Sequence, residues 1–372
     1  MNFLGLALTA ALVTEVQGSV QDSASIGPAA DRPLAYALKR LFAIGGTNGS
    51  VVELGTLHPQ DITGAAGARL VLIDRLEFQV VVVSPGGVLE RRAGRRGQGP
   101  GELSFPGLIA SDPGGLVAVW DLGRRTLLRF DANGALARET LLSDIGLVQE
   151  MRILGPDELI FSRGRQDSLL LFRRRGNATT VVAAIGRSLP RTLENPGCGL
   201  TDLPVRAIFA PSLLWDHRAG LTVVNTDGSF AISFHPDGDS AWVARRAAVR
   251  RRSTSALARA SLGTGPTVSV GAGRPCPIPT DRILAVAEVA PTLPAYARLL
   301  IAPDSSVWAI RYHLPSEPRS ADVYTSSKGY LGTVTLGPAN PVGFRTDGAV
   351  ISLEADADEV PLIVVYQVLK PS

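Results

Sequence analysis

The chain predicts an all-β fold, a six-bladed β-propeller of four-stranded antiparallel blades, and three observations carry that prediction. Within Gly94–Thr140, the apolar runs Gly107–Ser111, Leu116–Trp120, Thr126–Phe130 and Ala135–Thr140 are separated by Asp-Pro-Gly-Gly, Asp-Leu-Gly and Ala-Asn-Gly. These are turn chemistries, so the stretch reads as four strands. A unit of this length cannot bury both faces of its sheet alone, and the same order of runs and turns recurs along the 372 residues. The last unit lacks a strand that the N-terminus can supply.

The unit before the template, 61–93, has strands at Asp61–Ala66, Arg69–Asp74, Phe78–Val83 and Val88–Ala93, with Ser84-Pro85-Gly86-Gly87 as its last turn. Asp74 and Asp121 both follow a second strand. After the template at 107–140 comes 147–185, with strands at Leu147–Ile153, Glu158–Ser162, Ser168–Phe172 and Thr179–Ile185. A fourth unit, 212–245, places Pro236-Asp237-Gly238 in its last hairpin. An insertion, 246–294, rich in Ser, Thr, Ala and Gly, reads as an exposed, mobile loop. The fifth unit is 296–336, and the last, 341–369, has only three strands.

Residues 38–44 provide the fourth. Leu38–Ile44 followed by Gly45-Gly46-Thr47-Asn48-Gly49 repeats Leu89–Ala93 followed by Gly94-Arg95-Arg96-Gly97-Gln98, and Glu53-Leu54 repeats Glu102-Leu103. An N-terminal strand that joins the C-terminal blade closes the ring and removes an open sheet edge. A pair of β-sandwiches explains neither the recurrent Asp nor the donated strand.

Composition sets the compartment and excludes some partners. Phe3–Val13 is an apolar run of signal-peptide length, followed by Val16-Gln17-Gly18 before Ser19, with Ser23-Ala24-Ser25 as a second processing option. Residues 1–25 are therefore expected to be a leader and 26–370 a single propeller, exported to the periplasm or outside the cell. No stretch is long enough for a membrane helix, so the mature chain is expected to be soluble and monomeric. A net charge of +3, from 37 Lys+Arg against 34 Asp+Glu, is too balanced for a nucleic-acid partner.

The residues GRRGQGPGEL followed by FPGLIASDPGGLVAVWD resemble the NHL-type six-bladed β-propellers, and in particular their exported bacterial group. Pro291-Thr292-Leu293-Pro294, Ser306-Val307-Trp308 and Tyr330-Leu331-Gly332 are similar to the end of that group. The resemblance spans about Leu38 to Leu369. It implies the architecture and no shared activity.

In a propeller, the first-to-second and third-to-fourth strand links share one face, the turn face. The second-to-third links and the connections between blades share the other, the loop face. Here the loop-face links Gly94–Pro106, Gly186–Pro204, Arg246–Thr292, His313–Arg319 and Ala355–Glu359 are long, and long loops on a rigid scaffold carry binding. Arg95, Arg96, Arg124, Arg125, Arg163, Arg165, His58 and His313 lie there, and guanidinium groups can bind carboxylate or phosphate bidentately. The competing reading pairs these arginines with Asp74, Glu77, Glu102 and Asp167 as ordinary surface charge. Cys198 and Cys276 lie in neighbouring loop-face connections and can pair in an oxidising compartment.

Local catalytic motifs are absent: there is no HExxH, no GxSxG, no nucleotide loop and no zinc spacing. Function is therefore expected to be binding of a protein, peptide or glycan by the loop face, without a cofactor. The alternative is a calcium-dependent, lactonase-like hydrolase or lyase with ligands from several blades, for which Asp61, Glu150 and Asp216 are nominees.

Overall fold

The computed structural model describes residues 25–47, 57–112, 115–131, 134–165, 167–270, 274–327 and 329–371. The predicted leader up to residue 24, the Glu53-Leu54 repeat and the centres of the Asp112 and Asp131 turns lie outside the described residues. Six antiparallel sheets stand around a central axis, each inner strand beside the axis and each outer strand on the rim.

Blade 1 consists of Ile62–Ala65, Arg69–Asp74, Gln79–Val83 and Leu89–Ala93. Its middle strands are apolar on both sides, with Leu70, Val71, Leu72, Ile73 and Val81 all buried, because both sheet faces are covered by neighbouring blades. The outer strand alternates half-buried and exposed residues, since one side of the rim faces water. Blades 2 to 6 repeat the pattern, with inner strands at Pro106–Ser111, Val148–Gly155, Leu214–Arg218, Tyr296–Ile301 and Pro341–Phe344.

The recurrent Asp is a turn device. Asp74 accepts the amides of Leu76 and Glu77 and pairs with Arg92. Asp121, fully buried, accepts the amides of Ser104, Phe105 and Arg124, and so ties the second strand of blade 2 to the link from blade 1. Asn225 holds this place in blade 4, accepting from Gly228 and donating to the carbonyls of Ser229 and Ala231.

The apolar core is divided into wedges between blades. Ile109, Val119 and Leu128 pack on Val71 and Val80 between blades 1 and 2, while Trp308, Phe344 and Tyr366 fill the wedge between blades 5 and 6. Near the axis the inner strands approach closely. A Cβ on Gly64 would meet Phe344 O at 2.6 Å and Arg345 Cα at 2.7 Å, so only glycine fits between blades 6 and 1.

Ala37–Gly45 pairs antiparallel with Pro361–Leu369, from Ala37 opposite Leu369 to Gly45 opposite Leu362, and this closes the ring. The preceding residues form a strap. Ser25–Gly27 pairs in parallel with Ala244–Arg246, and Pro33 bridges Thr333, so the strap crosses the rims of blades 4 and 5 before entering blade 6. Blade 4 thus has five strands rather than the predicted four, and Ser25 is part of a sheet rather than of a leader.

The insertion also departs from the expectation of a mobile loop. It contains α1 (Ser255–Leu262), a hairpin of Thr267–Val270 with Arg274–Pro277, and α2 (Thr280–Val286). Thr254 caps α1 by accepting from the Leu257 amide, and Gly263 ends it at φ +57°. The long link Gly186–Pro204 runs into a second hairpin, Arg191–Asn195 with Leu200–Val205. Leu193, Cys276, Ile278 and Ile283 join the two insertions in one small core, and a Cys198–Cys276 disulfide crosses it, with Cα atoms 5.8 Å apart. Together they form a platform on the loop face over blades 3 to 5.

Candidate functional site

The loop face places the predicted arginines in three links of blades 1 to 3, where most serve the fold. Arg95 pairs with Glu102. Arg96 lies over the Phe78 ring at 4.9 Å. Arg124 pairs with Glu139 and donates to the Gly99 and Glu102 carbonyls, pinning the glycine-rich link to blade 2. Arg163 donates to Ile145 O and covers Phe172. Arg125 and Arg165 are exposed, and among the described residues no side chain pairs with either. His58 is exposed beside blade 1, whereas His313 is held in its loop by the Leu314 carbonyl and by Arg319.

The insertion expected to be mobile begins at a buried anchor, Arg246. The Arg246 side chain is 1% exposed and pairs with Asp322, fully buried, and with Asp31 of the strap. Arg311 joins the same two carboxylates, and Tyr296 and Thr333 donate to Asp322. Burial pulls the Arg311 pKa down, but hydrogen bonds to Asp31 and Asp322 and the attraction of their charges outweigh it and hold the pKa above its ordinary value.

What sequence reasoning missed on this face is apolar. Leu76, Phe105, Leu141, Leu147, Leu189 and Val249 are all exposed, from 53% at Phe105 to 91% at Val249, and all lie in loop-face links or at the strand end that begins one. They follow one another around blades 1 to 4. Scanning the long links for large apolar residues, rather than for charge alone, would have found them.

The central channel holds a cavity of about 350 Å³ lined by the inner strands of all six blades. Its charged layer joins blades 3, 4 and 5. Arg152 donates to Asp216 at 2.8 Å, Asp216 accepts the Ile301 amide at 2.8 Å, and Arg152 also lies over the Trp215 ring. Glu150, open to the channel yet ringed by protein, has its pKa pushed up by desolvation, against the pull of Arg152 and Arg298. Arg298 donates to Pro341 O of blade 6, and burial draws its pKa down against the attraction of Glu150. Strand registers alone do not bring these residues together, because they stand on different blades.

The nominated carboxylates do not fit calcium, which takes six to eight oxygen ligands. Both oxygens of Asp216 are engaged, Glu150 is flanked by two guanidiniums, and Asp61 is held by Arg75 and the His58 amide. Among the described residues, no group of three His, Cys, Asp or Glu comes together as a metal set. No helix of the described residues is long and apolar enough to cross a membrane.

No protein-family model and no curated protein matches the chain. Among solved structures, it is similar to a protein of Bacteroides fragilis NCTC 9343 described as exported, at 10% identity and a TM-score of 0.50, over 93% of this chain and 99% of that one. It also matches a DUF4221-family member of Bacteroides vulgatus ATCC 8482 at 8% identity and TM-score 0.45, covering 90% and 99% of the two chains. The RRP9 WD40 repeats match at 11% identity and TM-score 0.42, covering 92% and 99%. The first of these likenesses agrees with the six-bladed ring built above from register and closure.

Proposed function

We propose that the protein is an exported binding module that engages a protein, peptide or glycan through the loop face of its propeller. The observation that carries this reading is the series of exposed apolar side chains on that face, from Leu76 to Val249, interspersed with Arg125 and Arg165, which no side chain among the described residues pairs with. Apolar groups gathered on one face and rimmed by polar residues mark interaction sites. Their chemistry favours a peptide or protein segment that offers apolar anchors beside carboxylates. The platform tied by Cys198 and Cys276 supports the reading, since it presents a folded surface beside the patch. A disulfide persists in an oxidising compartment, which supports export together with the Phe3–Val13 run. We also read the chain as NHL-type, on GRRGQGPGEL and FPGLIASDPGGLVAVWD. We assign it no cofactor.

Peptide and glycan arrays probed with the purified protein test the reading. Hits should disappear with the double variant Phe105→Asp and Leu147→Asp, and persist with Val88→Asp on the turn face. Arrays without hits, or hits insensitive to the loop-face variant, overturn it.

A further inference from the structure

The channel cavity reaches the turn face of the propeller. Its lining extends to Asp112, Ala219, Gly220, Pro303 and Thr346, all in or beside first-to-second strand turns. On the other side it extends to Met151 and Leu300 in blades 3 and 5 and to Pro59 and Gln60 in the turn that leads into the blade 1 inner strand. At the turn-face end stands Arg218, the last residue of the blade 4 inner strand, half-buried and lining the cavity. Among the described residues, no side chain or carbonyl pairs with its guanidinium.

The nearby acids are already committed. Asp216 spends its oxygens on Arg152 and Ile301, Asp237 forms a two-pronged pair with Arg173, and Asp112 accepts the Leu116 amide within its own turn. Next to Arg218, His217 lines the same cavity with Nδ1 bound to Thr222, which leaves Nε2 available. Burial lowers the pKa of His217, so its ring is neutral at physiological pH. Leu108, Ile153, Leu300 and Phe344 supply apolar wall, and the paired Arg152 and Asp216 and the hydroxyls of Thr63, Ser111 and Thr346 supply polar wall. Beyond Phe344 and Thr346 the mouth widens into a groove of about 390 Å³ between blades 5 and 6.

We propose that this channel binds a small organic acid, a carboxylate on an apolar body, with Arg218 as its anchor. A planar guanidinium takes a carboxylate through two parallel hydrogen bonds, and a cavity of about 350 Å³ is within the range of small-molecule sites. One free guanidinium beside a neutral imidazole suits a monoanion; a phosphate dianion calls for more cationic partners. Burial also draws down the pKa of Arg218, with Asp216 only partly opposing, so a bound carboxylate supplies the counter-charge that the fold omits. The Arg218 anchor stands at the turn-face end, away from the exposed apolar side chains of the loop face, and its test is independent of the partner proposed there.

Ligand-observed NMR with phenylbutyrate, its amide, and the tripeptide Ala-Ala-Phe with free or amidated C-terminus tests the assignment on the full chain. Saturable binding of phenylbutyrate should weaken at least about tenfold with Arg218→Gln, return in part with Arg218→Lys and stay unchanged with Lys39→Gln, an exposed cation on the closing strand. The amide should bind at least about tenfold more weakly than the acid. Acid and amide binding alike, or acid binding unaffected by Arg218→Gln, overturns the proposal. Binding of the tripeptide acid without phenylbutyrate overturns the free-acid assignment in favour of a peptide terminus. If Arg218→Gln does not fold, phenylglyoxal modification of Arg218 in the unaltered protein decides: slowing by phenylbutyrate but not by its amide supports the site, and no protection overturns it.

Discussion

Single carboxylates decide how the links of this ring are held. Asp121 organises three amides from two blades, and Asp322 neutralises two arginines where blade 4 meets blade 5. Asp31 extends that network to the strap, and its pKa is lowered to about 2, first by its hydrogen bond to Arg311 and then by Arg246. A depressed folded-state pKa means that the strap contact contributes its full stability above the unfolded value of 3.8 and loses it as pH falls towards 2. The difference in melting temperature between the unaltered protein and Asp31→Asn should therefore be constant above pH 4 and shrink steadily below it. A difference that grows on acidification would contradict the assignment.

At the scale of elements, the strands were legible because Arg69–Asp74, Thr126–Phe130 and Pro361–Leu369 are short apolar runs ended by turn residues, and both signals are local. Helix α1 was not, although Thr254 and Gly263 mark its ends, because the Ser/Thr/Ala/Gly-rich stretch around it reads as low complexity. The candidate site was less legible still. Arg152, Asp216 and Ile301 meet across three blades, and whether Arg218 is paired depends on neighbours that no spacing rule supplies. The platform gives this scale its test. Its disulfide spans 78 residues, a loop long enough to stabilise by up to about 4 kcal/mol. Unreduced protein should show no free thiol. Cys198→Ser with Cys276→Ser should raise amide exchange and protease cleavage within 187–205 and 247–292, while exchange in the blade 1 and blade 6 strands stays unchanged.

For the whole molecule, stability depends on a ring without free inner edges. Ala37–Gly45 covers the edge of Pro361–Leu369, and Ser25–Gly27 covers that of blade 4. Removing residues 25–33 should lower the melting temperature and leave the hydrodynamic size of a monomer. Removing residues through Gly45 bares nine residues of buried-pattern strand, Pro361–Leu369, and should produce dimers or larger species by size-exclusion chromatography. A monomeric product of that second deletion would show that the closure is not what protects the edge.

The partnership of Ala37 with Leu369 also sets an order of events in time. The strand Ala37–Gly45 has as its template the strand Pro361–Leu369, so the blades between them must be synthesised before the ring can shut. Contacts of such high sequence separation form slowly, because the loop entropy is lost before the contact returns anything. Blades 1 to 5 can assemble on local hairpins, but the final seam waits for Pro361–Leu369.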